Sequence, residues 1–537
     1  MSSEEAGASR PARRSLGEGG WAPPTDHWDL KHIVTGQRER GGCGAIAQAW
    51  QLVAVVAVVL ATSAHVGTSN AYFEGAAGPY SVRVIIRTPG VIPGLAQISV
   101  RITSGAGVDQ VSVRPLRADV GLEGAPPRDI ARPVAGEPDL YSAELWLMTS
   151  GSYSVQVTVA GTAGEGTAFV PVLAIAERRL DMPLGITIGL SLAAVFLFVG
   201  AVTVFGAAVR ESVLTPGAAV DPRRQRLGRA VMAVATLGLG ALMWGGWTWW
   251  DVVDAAYRGR MYRPLSTSAE AVESGGAPTL RLTIDDPAWR GRNWTPLLPD
   301  HGKIMHMFLV KDGDLSGFAH VHPTATDASA FDVPFPELPA GPYRIYADIV
   351  DESGFAQTLT DFVRAPEVRP AGEDTSVVGR DPDDSWAVLP PFGAARSDTY
   401  LLDSGRTMRW ERAVDAVADR ETTLRFSLTE ADGSPAELEP YMGMMSHAAV
   451  SRDDGTVFIH LHPSGSISMA AQMRFEQREG GRDGSPMPAM ATAPAEATNT
   501  VAFPFVFPEP GPYRIFVQVK VAGTVETAAF DLDIAES

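Results

Sequence analysis

Seven of the chain's ten histidines fall in two short segments with matching spacing. In residues 301–323, His301, Met305, His306 and Met307 precede an Asp312-Gly313-Asp314 turn and then His320-Val321-His322-Pro323. In residues 441–463, Met442, Met444, Met445 and His447 precede Asp453-Asp454-Gly455 and then His460-Leu461-His462-Pro463. Residues i and i+2 of a strand point to one face, so each His-x-His pair projects together. A hairpin closed at the acidic turn sets His306 or His447 on the adjoining strand, where facing Cβ atoms lie about 4.5–5.5 Å apart. Two three-imidazole sets are therefore expected: His306, His320 and His322, then His447, His460 and His462. His301 aligns with Met442, which offers each set an auxiliary ligand. Neutral imidazole suits zinc, copper, nickel and iron, while thioether selects Cu(I). The methionines beside the histidines shift the expectation from zinc, the alternative, toward copper. The plainer reading is that the histidines are packed or at the surface and the methionines fill cores.

Other chemistries lack their residues. Cys43 is the single cysteine, so neither an intrachain disulfide nor a thiolate cage is available. There is no Gly-x-Ser-x-Gly elbow, no phosphate-cradling loop with lysine and no His-Glu-x-x-His. No enzyme activity is expected, and a three-His zinc hydrolase ranks last because no general base stands nearby. The net charge of −18 falls almost wholly after residue 250, which disfavours nucleic acid and suits cations.

The elements that must position the histidines follow from composition. Residues 1–43 are polar and lack an apolar period, as a disordered cytoplasmic arm would. Residues 44–64 are uncharged and long enough for a transmembrane helix or signal anchor. Residues 182–209 and 230–250 are two further uncharged runs. The last of them ends in Trp244, Trp247, Trp249 and Trp250, as at a membrane interface. The loop 210–229 carries Arg210, Arg223, Arg224, Arg226 and Arg229, which marks it cytoplasmic. The expected location is the plasma (inner) membrane, multi-pass, with the N-terminus inside and large β domains on the outer face.

Residues 72–178, 265–366 and 398–535 read as strands separated by Gly, Pro and Asp clusters. The last two are repeats of each other. Leu280-Arg281-Leu282-Thr283-Ile284 matches Leu424-Arg425-Phe426-Ser427-Leu428, and Gly341-Pro342-Tyr343-Arg344-Ile345 matches Gly511-Pro512-Tyr513-Arg514-Ile515. The first region shares Gly151-Ser152-Tyr153. Residues 367–397 read as a linker and 478–500 as a low-complexity insert. The expected fold is mainly β: three Ig-like β-sandwich domains plus three transmembrane α-helices.

The Pro93-Gly94-Leu95-Ala96-Gln97 opening and the Gly-x-Tyr final hairpins resemble the bacterial YtkA-like and copper-resistance-carrier domains. The resemblance covers the three β regions. It implies Ig-like sandwiches, membrane tethering and an extracytoplasmic link to copper. The function expected is a membrane-anchored protein that binds or hands on copper ions, with the lipid bilayer, metal ions and another envelope protein as partners. The alternative is a structural or sensory envelope protein whose sandwiches bind a protein or polymer.

Overall fold

The computed structural model describes residues 66, 70–215, 217–274, 276–292, 294–367, 380–412, 416–479 and 499–537. The expected arm 1–43 and the first apolar run 44–64 lie outside these residues. So do most of the insert and residues 368–379 of the expected linker.

The chain is mainly β, and among the described residues its strands form six antiparallel sheets. Alternating apolar residues pair the sheets around three cores. In the first pair, Val82, Val84, Ile98 and Val100 meet Val113, Val155, Val157 and Val170. In the second, Leu280, Leu282, Phe331 and Val333 meet Met307, Leu309, Ala319, Val321 and Ile345. In the third, Leu424, Phe426, Phe503 and Phe505 meet Val450, Leu461, Ile515 and Val517. Each pair is closed by a tyrosine whose hydroxyl bonds four residues back. Tyr343 donates to the Pro339 carbonyl at 3.0 Å and Tyr513 to the Glu509 carbonyl at 2.9 Å, while Tyr153 pairs with Thr149 Oγ1 at 3.0 Å.

Two sheets matter for function. One runs Ala356–Ala365, Gly341–Val350, His306–Lys311, Gly317–Val321, Ser385–Val388. The other runs Phe458–Leu461, Ser446–Arg452, Gly511–Val521, Thr524–Ile534. Their outer faces pack on each other, so several of their strands are buried on both sides. Along His306–Lys311, Met307 and Leu309 enter the local core while Phe308 and Val310 enter the seam between the sandwiches. The seam stacks rings in two equivalent places. Tyr346 lies on Phe458 at 4.0 Å and Phe318 on Phe516 at 4.2 Å. By the repeat alignment Tyr346 corresponds to Phe516 and Phe318 to Phe458, so the two repeats face each other about an approximate twofold axis. Burying each such ring contributes roughly 1.5–3 kcal/mol. Tyr346 Oη also donates to the Gly455 carbonyl at 3.2 Å. Gly455 has φ 72°, and a Cβ there would meet the Arg344 guanidinium, so this turn requires glycine.

The stretch expected as the linker 367–397 does more than connect. Its described part adds Ser385–Val388 to the edge of the Gly317–Val321 strand. Trp386 leans into the second core and draws this segment in.

Among the described residues, two helices are long and apolar enough to cross a membrane, Leu184–Glu211 and Pro222–Arg258. The basic loop expected over 210–229 is shorter than that. The Asp221 side chain accepts the Arg223 amide and Pro222 takes the first helical position, so Arg223, Arg224, Arg226 and Arg229 belong to the second helix. A third helix, Met469–Glu479, bridges the third sandwich to the first: Phe475 packs on Leu116 and Phe169, and Glu479 accepts the Leu122 amide at 3.1 Å.

Candidate metal centre

All seven histidines of the two repeats enter one chamber at the end of the seam. Each repeat contributes the expected hairpin: Phe308 faces His320 across one, and Ala449 faces His460 across the other. Imidazoles from both sides then interleave. Ring centroids lie 5.5 Å apart for His306 and His460, 6.0 Å for His320 and His447, and 4.9 Å for His301 and His462. The imidazoles expected as one set per repeat thus lie side by side in a single cluster. The cause is the face the histidines occupy. They alternate with Met307 and Val321, which fill the local core, so they share the opposite face with Phe308 and Phe318 and are covered by the other repeat.

Among the described residues, two all-histidine groups have one ring nitrogen from each member within 4.8 Å of the others. The first is His306, His320 and His322. The second is His301, His447 and His462. The second set expected from spacing was His447, His460 and His462, so His301 stands in the place of His460. His301 reaches it from a two-residue turn in which Asp300 and Lys303 exchange backbone hydrogen bonds at 2.8 and 2.9 Å. His301 and Gly302 sit at φ 50° and 80°, as a tight primed turn demands. The other repeat copies the turn, with Met442 and Gly443 at φ 51° and 80°. Met442 is buried there, and a thioether stands where the first repeat has an imidazole.

His460 sits between the trios. Its Nδ1 faces Asp348 Oδ2 of the other repeat at 3.3 Å, and its Nε2 has no partner. His320 makes the matching contact, with Nδ1 at 2.9 Å from Gln518 Oε1. Asp348 pairs with His306 in the sheet and Gln518 with His447, so these are equivalent positions of the two repeats. Burial pushes the Asp348 carboxyl up to about 7, against a hydrogen bond from Thr358 that favours its charge.

Proton accounting identifies the lone pairs. His306 Nε2 donates to the Asp300 carbonyl at 3.1 Å, which leaves Nδ1 bare. Gln518 Nε2 is engaged by Ser385 Oγ at 2.7 Å and Thr527 Oγ1 at 3.3 Å, so its Oε1 takes the proton of His320 Nδ1 and leaves His320 Nε2 bare. These two bare nitrogens face each other at 3.1 Å. His322 Nδ1 donates to Asp384 Oδ1 at 3.0 Å, and its buried Nε2 has no partner. A carboxylate behind a histidine orients the ring and raises its basicity as a ligand. Both nitrogens of His447, and Nε2 of His301, are likewise buried without a hydrogen bond.

Burial drives the imidazoles to stay neutral. It holds His306, His320, His447 and His460 well below the ordinary histidine value, and neighbouring imidazoles add to this. His462 is lowered to about 3 by burial and then by His301. His301 is lowered by burial, opposed by the Asp300 charge. Neutral imidazole is the form that ligates. Two nitrogens each ~2.0–2.1 Å from one ion stand about 2.9–3.4 Å apart, which the His306–His320 contact matches.

Asp348, Gln518, Asp384 and Asp300 escaped the sequence reading. Asp348 and Gln518 each lie five residues after the Tyr of Gly-Pro-Tyr, on the face of Tyr346 and Phe516, so the repeat carried that signal. Asp384 lay in the supposed linker. The methionines do not support the earlier inference from thioethers. Met305 and Met307 fill the second core, and Met445 packs against the third.

Residues 264–365 and 402–536 match the family described as a domain of unknown function, DUF8832. These spans hold both repeats and all seven histidines of the chamber. No curated protein matches the chain in sequence. Among solved structures, the native E. coli alpha-2-macroglobulin is similar at 10% identity and a TM-score of 0.19, over 85% of this chain and 23% of its own. Latent PorU of Porphyromonas gingivalis is similar at 9% identity and a TM-score of 0.14, over 88% and 34%. The FN1–FN3 domains of chicken CNTN1 are similar at 8% identity and a TM-score of 0.13, over 84% and 97%. The chain thus spans well under two thirds of the first two.

Proposed function

We propose that this chain is a membrane-anchored metal-binding protein that holds two transition-metal ions in the chamber between its histidine-bearing sandwiches. Copper is the first choice and zinc the alternative. The observation that carries this reading is the pair of bare nitrogens, His306 Nδ1 and His320 Nε2, facing each other at 3.1 Å in a buried site. A buried polar atom without a partner costs about 1–3 kcal/mol, and the chamber concentrates several of them. One ion in each trio removes part of that cost, because it engages one nitrogen from each of the three imidazoles around it. Copper is preferred because Cu2+ heads the divalent affinity order for nitrogen donors. His306, His320 and His322 hold the first ion, and His301, His447 and His462 the second. His460 stands between them as a ligand available to either. Burial of the histidines favours retaining the ions over rapid hand-on, and the activity proposed is binding.

The three sandwiches are read as Ig-like domains of one general kind. Leu184–Glu211 and Pro222–Arg258 expose Leu192, Phe196, Leu237, Leu242 and Trp247, which lipid would cover. With the segment 44–64 they make a multi-pass anchor in the plasma (inner) membrane, with the N-terminus inside and the β domains outside. The competing reading, a scaffold for another envelope protein with packed histidines, leaves the bare nitrogens unexplained.

X-ray absorption on full-length protein exposed to equal Cu(II) and Zn(II) tests the assignment. The expected result is predominantly bound copper with a first shell of nitrogen alone. A sulfur scatterer, or retention of zinc over copper, contradicts it.

A further inference from the structure

We infer that Asp381 and Asp384 form the loading gate of the chamber, and that Lys303 is its latch. The inference rests on the metal-binding reading and concerns how ions reach the trios.

His322 stands astride the chamber wall. Its Nδ1 donates to Asp384 Oδ1 at 3.0 Å and lies 4.0 Å from Asp381 Oδ1, so the ring is held against both carboxylates by its proton-bearing side. Its Nε2 is the bare, buried nitrogen that belongs to the first trio. One ring thus joins a carboxylate pair to the interior. Asp384 is nearly buried, whereas Asp381 is 23% exposed and meets solvent directly. Solvent cations reach carboxylates before they reach buried imidazoles, because opposite charge raises their local concentration.

Lys303 now fills that position. Its Nζ lies 2.6 and 2.7 Å from the two Asp381 oxygens and 3.4 Å from Asp383 Oδ2, and Lys520 Nζ lies 3.5 Å from Asp383 Oδ1. A metal cation arriving at Asp381 must displace the ammonium. The displaced group belongs to the same tight turn as His301, a ligand of the second trio, so latch and ligand share one backbone element. The equivalent turn of the other repeat has Met444 where this one has Lys303. A methionine is therefore compatible with the turn.

The test is stopped-flow uptake of Co2+ by the metal-free, full-length protein in detergent, read by the visible bands of nitrogen-bound cobalt. Asp381→Asn is expected to slow uptake about tenfold or more, within the range of electrostatic effects on association. Lys303→Met is expected to speed it. Neither should change the final spectrum or the number of ions bound. Wild-type uptake equal in rate to both variants overturns the gate alone. Wild-type protein that binds no cobalt overturns the metal reading, and the gate with it. If Asp381→Asn lowers the final stoichiometry instead, Asp381 is a resident ligand and the gate is wrong.

Discussion

Loading both trios is expected to stabilise the paired sandwiches by about 8 kcal/mol when free metal exceeds Kd about a thousandfold, since each saturated site contributes roughly 4 kcal/mol. For a unit of this size that raises Tm on the order of 15 °C. The coupling follows from the ligand sets. His301 belongs to the second sandwich, while His447 and His462 belong to the third, so the second ion ties the two domains together. Metal should therefore merge their unfolding into one transition. His301→Ala should keep the first ion and lose about half of the gain. Calorimetry on stripped and reloaded protein measures this. Melting curves that coincide with and without metal would refute it.

Acid should unfold the metal-free protein steeply. His301, His306, His320, His447, His460 and His462 are all held below the ordinary histidine value, chiefly by burial. The unfolded chain protonates these histidines as pH falls through about 6.5, while the folded chain does not, so the unfolded state binds more protons and stability drops. Asp348 acts in the opposite sense. Its folded value near 7 lies above that of an unfolded aspartate, so it takes a proton first in the folded state and adds stability between about pH 7 and 4. Six groups outweigh one. His306, His320, His447, His460 and His462, set against Asp348, give a net loss that approaches about 5 kcal/mol per pH unit once the unfolded histidines are charged. That compares with a total stability of about 5–15 kcal/mol for an ordinary domain. Denaturant midpoints of the stripped protein should fall sharply below pH 6.5 and stay level above pH 7.5. Bound metal should move the fall to lower pH, because the ion and the proton compete for the same nitrogens. A midpoint that stays constant from pH 7.5 to 5.5 would show that the imidazoles are not held neutral.

The sequence made the hairpins legible, and the physics explains why it stopped there. His320 and His322 share a face because a strand repeats every two residues, and the acidic turn fixes the partner strand. What covers that face depends on a neighbour with no local trace. A hint was present. His306-Met307-Phe308-Leu309-Val310 is apolar on both faces, as is Phe318-Ala319-His320-Val321, and a half-exposed strand would alternate. Such strands call for cover on both sides, and the repeat supplies it. The exchange of His301 for His460 was not readable, because it depends on how one tight turn enters the other domain. The methionine cluster misled for a simple reason: Met305 and Met307 flank His306 and so point away from it. Asp384 was lost because a segment rich in Pro, Asp and Gly reads as a connection even when it adds a strand.

His306, His320 and His322 of one repeat form one all-imidazole site, and His301 joins His447 and His462 of the other repeat to form the second. The most direct test of this assignment is the metal content of full-length protein, purified in detergent and reconstituted with copper, alongside His322→Leu and His447→Leu. The expected result is two ions per chain in the wild type and one in each variant. Fewer than about 0.1 ions per chain in the wild type, or two ions in both variants, would contradict it.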